Sequence, residues 1–383
     1  MWIALLFWFS FGVIFLTYVG YPFLLFLFSF FKNKLESQTK QQTMPVSVII
    51  AAYNEEKLIH EKIKNTLEQG YPSQLLQIIV VADGSTDLTV TKASEFKEVL
   101  VLFDEKRKGK AAAVNRSIAY ATNEIIVLTD ANSLLQPGAL NELIQPFIDE
   151  EAGAVAGEKK VINQYHHKQS SEGLYWKYES WVKEQETNFY TVIGAAGELF
   201  AIRKNLYKSI PENIITDDFF ISVSVNLQNK KVAYAKKAIS IEYESLTIKD
   251  EWKRKVRIAA GGIQSLFVLS AALNIFKYSR LAFQFFCHRV SRWLFCSPAF
   301  LILFVTNYFL LQNADLLFYQ GLFYAQVLFY FLALAGWFLS YSKKQFVLFG
   351  IPFYIVFMHA AMLTGFFRYL TGKQTVLWEK AQR

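Results

Sequence analysis

The sequence predicts an α/β domain set between membrane-spanning helices, and three observations carry that prediction. Apolar residues make up 53% of the 383-residue chain and charged ones 19%, yet the apolar excess sits at the two ends. Between the ends, short β-rich runs alternate with helical patterns. Acids, where dinucleotide folds carry glycines, stand at the points where those runs stop. The same composition excludes disorder, collagen-like repeats and a small disulfide scaffold. Cys287 and Cys296 form no C-x-x-C pair, which removes redox and structural-zinc readings.

Residues 1–31 carry no charged side chain, and Lys32 and Lys34 follow at once. The run exceeds the roughly 20 residues a helix needs to cross a bilayer. A cleaved secretory signal would need a basic leader, a shorter apolar run and a small-residue cleavage site, and none is present. The segment is therefore expected to be an anchor, kinked or ended near Gly20-Tyr21-Pro22. The lysines behind it predict a cytoplasmic location for the next domain, at the inner membrane of a multi-pass protein. Residues 32–43 are a polar linker.

The soluble unit spans 44–246. Residues 46–52 (VSVIIAA) read as a strand, followed by a helical pattern through Leu67. Residues 77–82 (QIIVVA) form a second strand, broken by Asp83-Gly84, with a helix start at Ser85-Thr86-Asp87. Residues 99–103 and 125–129 continue the alternation, which predicts a parallel sheet with helices on both faces. In such a sheet ligands collect beyond the carboxyl ends of the strands. No G-x-G-x-x-G follows the first strand and no G-x-x-x-x-G-K-[ST] occurs, which argues against dinucleotide and P-loop sites.

Residues 247–283 open on a dense basic run, KDEWKRKVR at 249–257, and read as an amphipathic segment on an anionic leaflet. Residues 284–370 hold three spanning candidates, 297–313, 316–342 and 346–367, separated by Asp315 and Lys343-Lys344. The first is expected to reach back to about Trp293, behind Arg289 and Arg292. Asn307, Gln326 and His359 inside the spans are either part of a substrate path or hydrogen-bond partners between helices. Residues 371–383 are a basic tail. One span before the domain and three after it would leave this tail outside, against the positive-inside tendency, and Pro352 marks the last span as the one most open to irregularity. The net charge of +8 fits nucleic acid or a membrane surface. Because Lys32, Lys34, Arg254, Arg257, Arg289 and Arg292 border the spans, membrane lipids are the expected partner and nucleic acid is not.

Chemistry-bearing residues fall at the strand ends. Asp83 suits a ribose or a base N–H, or else a plain Asp-Gly turn. Lys110 opens a helix and suits a diphosphate, or else a solvated loop. Asp130 and Asn132, two apart after an apolar strand, offer oxygens to Mg²⁺ or Mn²⁺. In ITDDF, Asp217 and Asp218 either follow Thr216 as an N-cap or include a general base whose pKa its neighbour raises. His166-His167 lack a partner at metal-ligand spacing and read as a solvated loop. Tyr175, Trp176, Tyr178 and Trp181 on one helix are suited to an acceptor groove, core packing or membrane contact.

The ordered set VSVIIAAYNEE, IIVVADGSTD, GKAAAVN, LTDAN, GAAGELFAIRKNLY, ITDDF and RKVRIAAGG resembles the membrane-bound family 2 glycosyltransferases with a GT-A catalytic domain. The likeness runs from Pro45 to about Gly262, and the ending Trp378-Glu-Lys-Ala-Gln-Arg383 is also similar to this group. The resemblance implies a GT-A (nucleotide-diphospho-sugar transferase) fold. It also implies that Tyr53, Glu55, Asp83 and Lys110 contact a nucleotide-sugar donor, usually a UDP-sugar. Asp130 would meet diphosphate and metal, with Asn132 as the second ligand, and Asp218, beside Asp217, would be the base. Gly197, Glu198, Arg254 and Arg257 would lie near a lipid-linked or glycan acceptor. The implied reaction is an inverting, metal-dependent hexosyl or N-acetylhexosaminyl transfer in polysaccharide or glycolipid synthesis. Three positions depart from the family pattern. Asn132 stands for the second Asp of D-x-D, Asp217 for the Glu of E-D, and Arg254-Lys-Val-Arg257-Ile258 for the Q-x-x-R-W of processive synthases. The last departure favours single transfer over a processive synthase-exporter. A non-catalytic nucleotide-binding transporter or scaffold is opposed by Asp83, Asp130 and Asp218.

Overall fold

The computed structural model describes residues 1–30, 43–162, 171–195, 197–243, 247–311, 317–340 and 347–376. Lys32, Lys34, most of the linker, His166-His167, Asp315, Lys343-Lys344 and the ending from Trp378 lie outside them. The chain opens with α1 (Trp2–Phe15), a wide π-helical turn at Leu16–Gly20, and α2 (Tyr21–Phe30). The interruption falls just ahead of Pro22 for a chemical reason. Proline has no N–H to offer the carbonyl four residues back, and that oxygen, on Tyr18, accepts the Tyr178 hydroxyl at 2.9 Å instead.

The middle of the chain forms β1 (Val46–Ala52), α3 (Ile59–Leu67), β2 (Leu76–Asp83), α4 (Thr89–Ala93), β3 (Val99–Asp104), α5 (Lys110–Ile118), β4 (Ile125–Asp130) and β5 (Leu134–Leu135). There follow α6 (Ala139–Ile144), β6 (Ala152–Ile162), α7 (Ser171–Phe189), β7 (Phe200–Arg203), α8 (Asp217–Asn226) and β8 (Lys231–Tyr243). Among the described residues these strands make one eight-stranded sheet in the order β3-β2-β1-β4-β7-β6-β8-β5. Strands β1 to β4 are parallel, as the alternation predicts. The second half departs from the all-parallel expectation. After α7 the chain re-enters the sheet from the end where β4 leaves it, so β7 runs antiparallel to both β4 and β6. That reversal brings the loop before β7, with Gly197 and Glu198, to the carboxyl ends of the parallel strands.

Alternate residues of β1 face opposite layers, as the pleat requires. Val48 and Ile50 pack with Ile59, Ile63, Leu140 and Leu143 of α3 and α6. Ile49 packs in a second layer with Ala113, Val114 and Val223 of α5 and α8, and this layer continues into Leu266, Leu281, Phe285 and Val290. This second layer of the core is thus shared with the helices that follow the domain.

Those helices are α9 (Ile248–Val268), α10 (Ser279–Gln284), a π-helical stretch Phe285–Cys296, α11 (Ser297–Leu311), α12 (Leu317–Ser340) and α13 (Val347–Leu370). Thr247 caps α9 by accepting the Asp250 N–H at 3.1 Å. Helix is continuous over Ser279–Leu311, so the first C-terminal span starts well before Trp293. Among the described residues four helices are long and apolar enough to cross a membrane: Trp2–Ser29, Ser279–Leu311, Leu317–Ser340 and Val347–Leu370. One N-terminal and three C-terminal helices match the expected count. The last stays helical through Pro352 and lies along α9, with Trp252 against Phe357 and Phe267 against Tyr369. Polar groups inside the spans bond helix to helix. Asn307 pairs with Gln326 at 3.0 Å, and His359 bonds the Tyr18 hydroxyl at 3.2 Å and Ser297 at 3.0 Å.

Candidate active site

The site is built on backbone that few residues other than glycine allow. Gly84, at φ +66°, gives its N–H to the Asp104 carbonyl at 2.8 Å. A Cβ there would lie 2.7 to 2.8 Å from Arg107, so glycine lets the loop after β3 close over the end of β2. Asp83, 2% exposed, lies beneath that loop. Its carboxylate accepts the N–H of Lys108 at 3.0 Å and of Gly109 at 2.6 Å, and so fixes the entry into α5. Tyr53 lies against the Arg107 guanidinium, 3.6 Å from ring centroid to carbon. Glu55 is buried nearby and gives its N–H to Thr89 Oγ1 at 2.7 Å.

Lys110, the first residue of α5, crosses to the acids. Its Nζ is 2.7 Å from Asp130 Oδ1 and 3.4 Å from Asp217 Oδ2. Gly197 closes the group, because a Cβ on it would sit 3.2 Å from Lys110 Nζ and 3.4 Å from Asp218 Oδ2. Burial disfavours the ammonium, but Asp130, Asp217 and Asp218 together hold it above the ordinary lysine range. Asp218 shifts the other way. Burial and the neighbouring Asp217 push its carboxyl up to about 7, against the pull of Lys110 and of the Phe219 N–H at 2.8 Å. Thr216 stands at the N-cap position but does not cap with its side chain. Its hydroxyl bonds Gly261 O at 3.2 Å and Ser265 Oγ at 2.9 Å, which ties α8 to α9.

The Asp130–Asn132 turn offers one charged and one neutral oxygen. Asn132 Oδ1 is buried and has no hydrogen-bond partner among the described residues, so the turn fits a cation that draws on both side chains. No group of three His, Cys, Asp or Glu side chains among those residues is placed to hold a metal ion. Lys62 of α3 supports the turn from below and was not apparent in the sequence. Fully buried, it gives hydrogen bonds to Thr129 Oγ1 at 2.8 Å and Ser133 O at 2.6 Å. Burial lowers its pKa to about 7, with Asp130 opposing. Thr129 in turn bonds the Glu198 carbonyl at 2.7 Å, so one buried lysine connects the two sides of the site.

On the side away from Asp83, Glu198 and Glu242 both pair with Lys159. Arg254 contacts Glu242 at 3.8 Å and Glu251 at 2.9 Å, and is one pair removed from the centre. Arg257 is closer: it bonds the Ile215 carbonyl at 3.4 Å, and its charge acts on Asp217, Asp218 and Asp130. The geometry therefore gathers Lys110, Asp130, Asp217, Asp218, Gly197 and Arg257 at one point, with Tyr53, Glu55 and Asp83 along one flank and Glu198 and Arg254 along the other.

Residues 47–210 match the family model described as glycosyl transferase family 2. This segment is a family 2 glycosyltransferase domain. The chain is 27% identical over 285 residues to "Probable glycosyltransferase YdaM" of Bacillus subtilis (strain 168), covering 69% of this chain and 66% of that one. It is 25% identical over 245 residues to "Poly-beta-1,6-N-acetyl-D-glucosamine synthase" of Staphylococcus epidermidis, covering 62% and 59%. The matched part thus spans less than two thirds of each relative. Among solved structures, a mannosyltransferase of Pyrobaculum calidifontis in complex with GDP-Man and Mn²⁺ superposes with a TM-score of 0.74 at 19% identity, covering 97% of this chain and 100% of that one. The glycosyltransferase domain has the GT-A fold, with its mixed sheet, and the superposition extends over the long apolar helices.

Proposed function

We propose that this chain is an inverting glycosyltransferase of the membrane surface, moving a sugar from a nucleotide-diphosphate donor to an acceptor hydroxyl. The observation that carries the reading is Lys110, held between Asp130 on one side and the Asp217–Asp218 pair on the other. Tyr53, Glu55 and Asp83 flank the nucleotide, and Asp83 acts through the loop it holds. Lys110 offsets the charge that grows on the departing diphosphate. Asp218 accepts the proton of the acceptor hydroxyl as its oxygen bonds to the anomeric carbon and the bond to the diphosphate breaks. Glu198, Gly197, Arg254 and Arg257 border the acceptor. Asp130 and Asn132 would hold Mg²⁺ or Mn²⁺, which supplies further stabilisation of diphosphate charge when bound.

The donor sugar, a UDP-sugar in this reading, and a hexose or N-acetylhexosamine transfer rest on the family likeness. The catalytic domain is assigned to residues 44–246, on the cytoplasmic face of the inner membrane. A second reading, processive synthesis with export, is favoured by the staphylococcal synthase relative and the three C-terminal spans. The absence of a Q-x-x-R-W motif favours single transfer.

A screen of nucleotide sugars for metal-dependent release of nucleoside diphosphate, on the protein in membranes, tests the activity. Gel filtration of the labelled product separates one transfer from polymerisation. Asp218→Asn is expected to abolish transfer and leave donor binding nearly unchanged; undiminished turnover would remove Asp218 from the mechanism.

A further inference from the structure

Beside this site, on α7, lies a cluster that the proposed reaction leaves unused. Glu158 stands where the β6–β8 register jumps, from Gly157 opposite Ala235 to Glu158 opposite Ile239. Both of its oxygens are occupied, by Ser180 Oγ and by the Tyr234 hydroxyl, each at 2.6 Å. Lys183, one helical turn beyond Ser180, is 3% exposed. Its ammonium is 5.8 Å from the Trp176 ring centroid and 5.7 Å from that of Tyr234. Among the described residues it has no hydrogen-bond acceptor and no ion-pair partner. The side chain is buried, and its ammonium has no oxygen of the described residues for its N–H groups.

Trp176 connects this cluster to the reaction centre. Its ring is also 5.2 Å from Lys159 Nζ, and Lys159 pairs with Glu198. Glu198 follows Gly197, which borders Asp218. The path from the base outward is therefore Gly197, Glu198, Lys159, Trp176, Lys183. We propose that Trp176 and Lys183 form an outer acceptor subsite that holds a neutral sugar unit beyond the one bearing the attacking hydroxyl. The partly exposed indole offers an apolar face for a pyranose ring, and Lys183 supplies N–H groups to its oxygens. Neutrality follows from the charges present. Lys159, Lys183, Arg254 and Lys255 are matched by Glu158, Glu198, Glu242 and Glu251, which leaves no surplus for a uronate or phosphate. Burial holds Lys183 below the ordinary lysine range, consistent with a charge that lacks a partner until a ligand arrives.

This inference rests on the transferase reading, and its test separates the two. The full chain in lipid nanodiscs, with the donor found by the screen, is given a neutral monosaccharide or the corresponding trisaccharide as acceptor. Lys183→Met and Trp176→Ala are expected to raise the trisaccharide KM about tenfold or more, the loss of one charge-assisted contact. Monosaccharide KM, donor KM and acceptor-free donor hydrolysis should stay within about twofold, because those contacts are made elsewhere. Trp176→Phe should keep most of the affinity. An unchanged trisaccharide KM overturns the subsite, as does an equal loss for both acceptors and for hydrolysis. A uronate trisaccharide that binds better than the neutral one overturns the claim of neutrality. A wild-type chain that releases no nucleoside diphosphate from any donor with either acceptor present overturns the transferase reading, and the subsite with it.

Discussion

Asp218 makes a residue-scale prediction with a defined sign. The base proposed above works only when ionised, so on that reading transfer should rise with pH through about 7 and level off above it. Its effect on stability runs oppositely. The native carboxyl holds its proton more tightly than an unfolded one, whose value is about 3.9. The stability it contributes is present in full below that value and is lost as pH climbs through about 7. Asp218→Asn avoids this loss. Its melting temperature relative to wild type, in chelator, should therefore increase from pH 4 to pH 8; a difference flat with pH would contradict the assigned shift. Asp83 and Asp130 stood out in the sequence because each ends a strand, where little but a ligand or a turn explains a charge, while Lys110 and Asp217-Asp218 each open a helix. Lys62 did not stand out. A lysine among the polar residues of an amphipathic helix reads as solvated, and only the turn packed over it shows that it is buried. Thr216 misled for a related reason: its hydroxyl found acceptors on α9, a partner that local sequence cannot reveal.

At the scale of elements, the apolar runs of β1, β2 and β4 identified themselves, while β7 did not. Four residues, Phe200–Arg203, are too few for a periodic signal, and their direction depends on where α7 releases the chain. The packing of α13 on α9 was also invisible, although its requirement is narrow. A Cβ on Gly365 would come within 2.6 Å of Ala259 Cβ and 2.8 Å of the Ala260 nitrogen. Gly365→Ala should therefore cost about 1–3 kcal/mol through overpacking. Thermal unfolding followed by tryptophan fluorescence measures it, and Gly321→Ala, where a Cβ would meet nothing within 4 Å, provides the comparison. Equal melting of the two variants would show that α13 does not depend on this approach.

Across the whole molecule, α7 joins the glycosyltransferase domain to the spans through buried charge. Arg292 pairs with Glu179, and His288 reaches Glu179 at 3.5 Å and Glu186 at 2.7 Å. Glu186 also accepts the Tyr21 hydroxyl at 2.5 Å and the Ile193 N–H at 3.1 Å. Arg292→Leu would strand Glu179 without its cation, at an expected cost of about 3–5 kcal/mol. The double variant Glu179→Gln, Arg292→Leu should recover part of it, read as melting temperature in detergent. A double variant no better than the single one would mean that the pair is not the junction. The four spans were legible from composition, but this junction was not, since its partners lie more than a hundred residues apart. Arg289, from the same helix, grips the Ile193 carbonyl at 2.6 Å and so steadies the stretch leading to Gly197. The consequence concerns how the enzyme is to be handled. A soluble fragment ending before α9 would expose part of its own core and lose the clamp on the loop that leads to Gly197, so a weak or inactive fragment would say nothing about the chemistry. Arg289 stands on a helix apolar enough to cross a bilayer, so bilayer composition belongs among the variables of an assay, beside metal and pH.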